Sequence, residues 1–444
     1  MNTIPNQVLQ SDRFAFLHID LNSFFASVEQ QLHPEFRNRP LAVVPTKADT
    51  TCCIAASYEA KALGIKTGTQ VGEAKRICPE IVLIEGDHGV YADYSHRIAV
   101  AVERCCPVAH TPSIDEMVCQ LLGREQEPPR ARSIALAIKQ AIRSDVGETL
   151  RCSIGMAPSR YLAKIASDMQ KPDGLIGLLP SQLPRAIAHL ELRDLPGVGA
   201  RTEVRLNAKG ISTMEQLLAL DRPAMHALWN SVWGDRMYHW LRGAVTGDDG
   251  APAPLDIQKS LGHSHVMAPE HRTPEGAWAV AHKLLHKAAM RLRMEHFHAA
   301  SMSVTIRYAL TKEQAASTKK AKRHFSGINH SGWGMEARFA PCQDTLTLLN
   351  IVRSLWAKRP EGPEFARPFF VGVTLHSLIP ESELQASLFG DPDNRAELAA
   401  AMDKLNLKYG HSTLHFAGML PARESAPTRI AFTQIPVQYG VDYM

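Results

Sequence analysis

Apolar and polar positions along the first roughly 180 residues repeat with two different periods, as in a chain that interleaves strands with helices. Phe14-Ala15-Phe16-Leu17-His18-Ile19 is an apolar run of strand length that stops at Asp20. Beyond it, Asn22 or Ser23 can cap a helix whose buried face carries Phe24, Phe25, Val28 and Leu32. Leu150–Met156 reads as another strand; Pro158-Ser159 opens a helix over Tyr161–Met169, and Lys171-Pro172-Asp173-Gly174 closes it as a turn. From Leu179 to Gly250 the spacing is helical, with Leu195-Pro196-Gly197-Val198-Gly199 between two helices, and Thr246–Pro254 has linker composition. Thr273-Pro274-Glu275 then starts a long helix with Trp278, Ala281, Leu285, Ala288 and Leu292 as its buried stripe. Strand-like segments at Ser301–Tyr308, Met335–Phe339 and Phe369–Leu375 and a helix through Leu346–Trp356 make this region a small α+β domain. The tail from Glu381 is polar, with a helix around Ala396–Lys408 ended by Gly410. The chain as a whole reads as α+β and multidomain.

Composition narrows the class. The 444 residues suffice for about two to four domains, and 45% hydrophobic with 21% charged residues is an ordinary globular balance. No apolar run approaches the ~18 residues of a membrane span, and the first residues lack a basic stretch followed by an apolar core. A cytoplasmic protein is expected. The eight cysteines form no C-x-x-C, which argues against structural zinc and for reduced core thiols.

Charge is distributed unevenly. Residues 258–380 hold 17 Lys and Arg against 8 Asp and Glu, a net +9, which leaves −5 for the rest of a chain whose total is +4. A basic module suits a polyanion partner, although a solvated basic surface has the same composition. Lys283, Lys287 and Arg291 lie on one helix face opposite the buried stripe and read as solvated. Nucleic-acid contacts are better placed on the sheet side and on Lys319, Lys320, Lys322 and Arg323.

Four constellations can carry chemistry. Asp20 ends an apolar strand and Asp115-Glu116 sits at a turn between two strand-like segments. Three such oxygen donors can hold two Mg²⁺ ions about 3.5–4 Å apart for phosphoryl transfer; taken alone, Asp115 and Glu116 also read as exposed turn acids. Tyr58 and Lys61 share a helix face, Lys171 precedes a turn, and together they could position a triphosphate. Gly197 and Gly199 let a backbone approach phosphate, with Val198 between them, so the segment could grip nucleic acid without reading sequence. Gln385-Ala386-Ser387-Leu388-Phe389 could anchor a flexible peptide in a partner's apolar pocket or pack back on its own domain.

In order, these segments resemble the motifs of the Y-family translesion DNA polymerases. His18–Glu29 is similar to the family's first catalytic motif, Ser57–Lys61 to its nucleotide-binding finger motif, and Ser113-Ile114-Asp115-Glu116 to its second catalytic motif. Leu162–Asp168 with Lys171–Gly174 resembles the palm helix and turn, Leu195–Gly199 the thumb hairpin, and Lys259-Ser260-Leu261-Gly262 the opening of the little finger. The resemblance implies a right-hand polymerase: palm at 1–23 and 87–178, small fingers at 24–86, a helix-hairpin-helix thumb at 179–248, a linker at 249–257, an α+β little finger at 258–380 and a tail at 381–444.

It also implies roles. Asp20, Asp115 and Glu116 would hold two Mg²⁺ with the Leu21 carbonyl as a further ligand. Phe25 would be a steric gate against a ribose 2′-OH, with Phe24 beside it, and Tyr58, Lys61 and Lys171 would hold the dNTP. Gly197, Val198, Gly199, Lys319, Lys320, Lys322 and Arg323 would contact primer–template DNA, and Gln385, Leu388 and Phe389 resemble a motif for the sliding clamp. A monomer with possible accessory translesion proteins is implied. The chain departs from the family at Lys61, where Arg is usual, at Ala55 and Thr46–Cys53, at Asn22, and at Met117–Gln120. Its tail resembles that of polymerase V-type catalytic subunits more than that of polymerase IV. The rival readings are a non-catalytic, clamp-tethered scaffold and a two-metal nuclease; the first fits poorly with three carboxylates present, the second with Phe25, Tyr58 and Lys171.

Overall fold

The computed structural model describes residues 12–45, 47, 49, 51–244, 260–317, 322–323, 329–384, 394–410 and 413–423. They fall into two units, one within Met1–Leu255 and one within Asp256–Arg429. The Gln385–Phe389 motif, Lys319, Lys320, the 249–257 linker and the Ala426–Phe432 tail lie outside the described residues.

In the first unit the chain runs β1 (Phe16–Leu21), α1 (Phe24–Leu32), β2 (Leu41–Val44), β3 (Ala55–Ala56), α2 (Tyr58–Ala62), α3 (Val71–Ile77) and β4 (Val82–Glu85). It continues through α4 (His88–Glu103), β5 (Val108–Ser113), β6 (Glu116–Gln120), α5 (Pro128–Asp145), β7 (Cys152–Ala157), α6 (Arg160–Met169) and β8 (Leu175–Gly177). Four helices end it: α7 (Ala200–Asn207), α8 (Met214–Leu218), α9 (Arg222–Trp229) and α10 (Val232–Trp240). Between Leu179 and Leu195 the expected helix is instead a series of short 3₁₀ turns, where prolines at 180 and 184 deny a continuous hydrogen-bond ladder.

The main sheet has the order β5-β6-β1-β7-β8, so β1 lies at its centre and is buried throughout. Alternation along β1 then sorts side chains between two cores. Leu17, Ile19 and Leu21 pack with Ile98, Val102, Ile134 and Ile138 of α4 and α5, whereas Phe16 packs with Leu162, Ala163 and Ile165 of α6. His18 and Asp20 therefore share the α6 face. A smaller sheet, β3-β2-β4, is closed by α2 and α3 through Ala60, Val71 and Ala74.

The start of α1 differs from the sequence expectation. Ser23 precedes it with φ 49° and no capping hydrogen bond, and Leu32 is 43% exposed rather than part of the buried face. All eight cysteines are free thiols, six of them buried. Among the described residues no helix is long and apolar enough to cross a membrane.

The second unit is a five-stranded sheet, β11-β12-β10-β13-β9, built from β9 (Ser260–Val266), β10 (Phe297–Ala309), β11 (Lys322–Arg323), β12 (Asn329–Cys342) and β13 (Pro368–Pro380). The helices Pro274–Met294 and Thr345–Trp356 cover one face, against Met302, Val304, Ile306, Val371 and Val373. Thr273 accepts the N–H of Gly276 and caps the long helix as expected. The basic stripe on this helix is not the fully solvated face expected: Lys287 and Arg291 are part-buried and Lys283 is buried. Lys283 is buried and donates to the Arg423 carbonyl, the Lys287 ammonium is pushed down to about 7 by burial and by Lys283, and Arg291 pairs with Glu295 at 2.6 Å. Residues 413–423, read as tail from sequence, fold back over this helix with Phe416 against His286 and cover Lys283, whereas Lys287 and Arg291 lie near His263 of β9. The opposite sheet face remains polar, with Arg338 and Glu336 exposed along β12.

Candidate active site

Antiparallel pairing places Glu116 of β6 directly beside Asp20 of β1, with Ser153 of β7 on Asp20's other side. His18, Asp20 and Glu116 bring ligand atoms within 4.8 Å of one another, the single such group among the described residues. Above them lies α6, drawn close by Gly155: a Cβ there would stand 2.0 Å from the Ala163 carbonyl oxygen and 2.4 Å from the Ser167 nitrogen. Ser159 caps α6 by accepting the Leu162 N–H.

That approach sets Lys164 over the carboxylates. Its Nζ lies 2.7 Å from Asp20 Oδ2, 2.7 Å from Glu116 Oε1 and 3.2 Å from Asp168 Oδ2. Lys171 reaches Asp20 Oδ1 at 2.6 Å and Asp168 Oδ1 at 2.8 Å. Burial opposes the charge on both ammonium groups, yet the carboxylates, Asp20 foremost, hold both above the ordinary lysine value. Glu116 responds in kind. Burial would raise its carboxyl, but the nearby His18 ring and the Lys164 ammonium hold it down to about 2.

Asp115 occupies the turn between β5 and β6. Its carbonyl accepts the Leu21 N–H at 2.9 Å, which ties that turn to the end of β1, and its Oδ1 accepts from Ser113 at 2.5 Å. Burial raises its carboxyl, and Asp20 and Glu116 raise it further, so its charge is felt at the same site although its oxygens stand outside the 4.8 Å group. Hard oxygen donors crowded together with a buried imidazole suit a divalent cation, which would relieve both the repulsion on Asp115 and the desolvation of the set.

The helix α2 supplies the neighbouring positive groups. Ser57 caps it by accepting from Ala60, and Lys61 lies over the Tyr58 ring at 4.6 Å while donating to Ser23 Oγ at 2.7 Å. Burial lowers the Lys61 ammonium, with Lys171 adding to the effect, and burial raises the Tyr58 phenol, so Tyr58, Lys61, Lys171 and Asp20 share one electrostatic neighbourhood. Phe24 and Phe25 are both 4% exposed; Phe25 stacks on Tyr91 at 4.2 Å, whose hydroxyl donates to Glu29. Asn22 accepts the Asp173 N–H at 2.7 Å and contacts Ser153, which accepts from Gly174 and donates to the Gln170 carbonyl. These bonds hold the Lys171 turn against the sheet. Sequence reading missed His18, Lys164, Asp168 and Ser153 as site residues, and the i−2 spacing of His18 from Asp20 was the one signal available for it.

At the hairpin, Gly197 has φ 87° and Gly199 precedes α7, whose first-turn N–H groups lack intrahelical partners. Val198 is 4% exposed and gives its N–H to the Leu195 carbonyl, so its side chain is core. Tyr161 of α6 donates to the Pro196 carbonyl at 3.1 Å and stacks on Trp240. The hairpin is thereby joined to the helix that carries Lys164, and an open cavity of about 420 Å³ is lined by Lys164, Asp168, Arg193 and Leu195–Gly199. Lys322 and Arg323 form β11 opposite His330 and Asn329.

Residues 19–168 match the impB/mucB/samB family and residues 258–388 the C-terminal domain of that family. DNA polymerase IV of Moorella thermoacetica is 33% identical over 407 residues, 91% of this chain and 95% of that one. The chain belongs to the Y-family DNA polymerases. It is a DNA-directed DNA polymerase by that membership. DNA polymerase IV 1 of Bacillus subtilis is 28% identical over 429 residues, covering 94% of this polymerase and 96% of its own length. Among solved structures, a Y-family DNA polymerase chimera superposes with a TM-score of 0.64 at 21% identity, over 82% of this chain and 99% of that one. An insertion ternary complex of Dbh DNA polymerase gives 0.54 at 20% identity with the same coverage. These likenesses bear out the α+β polymerase fold expected from sequence.

Proposed function

We propose that this polymerase performs low-fidelity translesion synthesis in DNA damage tolerance, by two-metal nucleotidyl transfer. The observation that carries the reading is the cross-strand pair Asp20–Glu116 at a buried strand end, with the Asp115 carboxyl raised by burial and by the same two charges. Asp20, Asp115 and Glu116 would hold two Mg²⁺, with the Leu21 carbonyl adjoining. When bound, the ions would supply positive charge to the attacking and leaving oxygens. Lys61 and Tyr58 would receive the triphosphate of the dNTP, and Lys171 would join them by exchanging Asp20 for phosphate. The primer 3′-OH would attack the α-phosphate and pyrophosphate would leave. Phe25, held by its stack on Tyr91, would bar a ribose 2′-OH.

In this reading residues 1–23 and 87–178 act as palm, 24–86 as fingers and 179–248 as thumb. Gly197 and Gly199 would meet the DNA backbone through main-chain N–H groups, with Val198 serving the hairpin's packing. The polar sheet face of the 258–380 little finger and its Lys/Arg cluster would lie along the duplex. Gln385, Leu388 and Phe389 would tether the enzyme to a sliding clamp. Primer extension with Mg²⁺ and dNTPs on undamaged and abasic templates tests the proposal. Extension by the wild type and none by Asp115→Ala supports it; no extension by the wild type, with clamp present, refutes it and leaves the scaffold reading.

A further inference from the structure

One polar atom beneath the carboxylates has no hydrogen bond. His18 is 4% exposed, and its Nε2 makes no hydrogen bond. A buried polar nitrogen left unpaired is unfavourable, so a fold that keeps one at a reacting centre invites a reason. Glu116 Oε1 lies 3.8 Å from it, too far for a hydrogen bond. That oxygen is held at 2.7 Å by Lys164. Across the sheet, His18 stands opposite Val118 and Gly155, neither of which has a side-chain acceptor, while Glu116 stands one diagonal step away beside Asp20.

We propose that His18 is a positioning residue for Glu116. When a divalent cation takes the place of the Lys164 ammonium, Glu116 is released from Nζ and its carboxylate rotates onto the His18 Nε2–H. The imidazole then fixes which carboxylate lone pairs face the cation, as hydrogen bonds to metal-bound ligands commonly do. The neutral tautomer with the proton on Nε2 suffices, so no change of charge is needed. The inference rests on the divalent-cation reading of Asp20, Asp115 and Glu116.

The test is Mn²⁺ binding by the full-length chain, read from the electron paramagnetic resonance signal of free aqueous Mn²⁺, beside metal-free denaturation. His18→Leu is expected to weaken Mn²⁺ binding about 10–100-fold. Its metal-free unfolding midpoint should move little, because loss of the ring's hold on Glu116 across 3.8 Å is offset by removal of a buried nitrogen that has no hydrogen bond. His18→Gln keeps a donor at nearly the same reach and should recover most of the affinity. The proposal is overturned if His18→Leu binds Mn²⁺ within about threefold of the wild type, or if His18→Gln falls as far as His18→Leu. Wild-type Mn²⁺ uptake that Glu116→Gln leaves unchanged would instead overturn the metal reading itself, and this inference with it.

Discussion

Without a divalent ion, Lys164 is the cation that holds the clustered carboxylates together, and its removal separates that role from metal binding. In Lys164→Met the long apolar stem is kept and the ammonium is lost. Asp20 and Asp168 retain Lys171 at 2.6 and 2.8 Å, but Glu116 loses its one contact at 2.7 Å. Removing one partner of a fully buried pair costs about 3–5 kcal/mol. Lys164 is 24% exposed, so solvent screening brings the expected loss to roughly 2–3 kcal/mol. For a unit of this size that is a fall of about 4–12 °C in the metal-free unfolding midpoint. The same ammonium must be displaced when a cation binds, so the variant should take up Mn²⁺ more tightly, by up to ~30–150-fold if the whole difference is recovered. Differential scanning fluorimetry in EDTA and in saturating Mn²⁺ measures both: the gap between variant and wild type should open in EDTA and close with metal. A variant as stable as wild type in EDTA, with an unchanged Mn²⁺ midpoint, would refute the reasoning.

Acid sensitivity follows from Glu116. Its folded-state carboxyl is held down to about 2 against 4.5 when unfolded, so its stabilisation is full above pH 4.5 and disappears as pH falls toward 2. That is roughly 2–3 kcal/mol after screening, and Glu116→Gln should flatten the acid limb of a metal-free stability–pH curve; an unchanged limb would count against the assignment. Gly155→Ala forces a Cβ to 2.0 Å from a backbone carbonyl of α6, and should lower stability in urea by about 3 kcal/mol while weakening Mn²⁺ binding, since Lys164 and Asp168 ride on that helix. Tyr161→Phe keeps the stack on Trp240 and deletes the bond to Pro196. It should cost about 1 kcal/mol of stability and raise the Kd for primer–template DNA, as read by fluorescence anisotropy; an unaltered Kd would detach the hairpin's placement from DNA grip.

Much of the site was legible from sequence because its carboxylates sit at the ends of apolar runs. Asp20 follows a continuous strand-length hydrophobic segment, and Ser113–Glu116 sits at the break between two more. Those are local signals, and the strands formed where they indicate. Tyr58 and Lys61 came together by helical spacing alone.

What only the tertiary structure decided depends on neighbours distant in the chain. Nothing local says that Asp20 and Glu116 are cross-strand partners, that β1 is central, or that its even-numbered side chains face α6. From those facts follow the positions of His18 and Lys164, residues that look ordinary in isolation and belong to the site because a glycine on β7 admits a helix at backbone contact. The basic stripe at Lys283, Lys287 and Arg291 shows the converse. Periodicity gives a helix its polar face but not what covers it, and residues 413–423, well over 100 positions later, fold back onto Lys283. Composition and spacing determine which elements form; burial and charge pairing, which decide the chemistry, are set by what the chain brings against them.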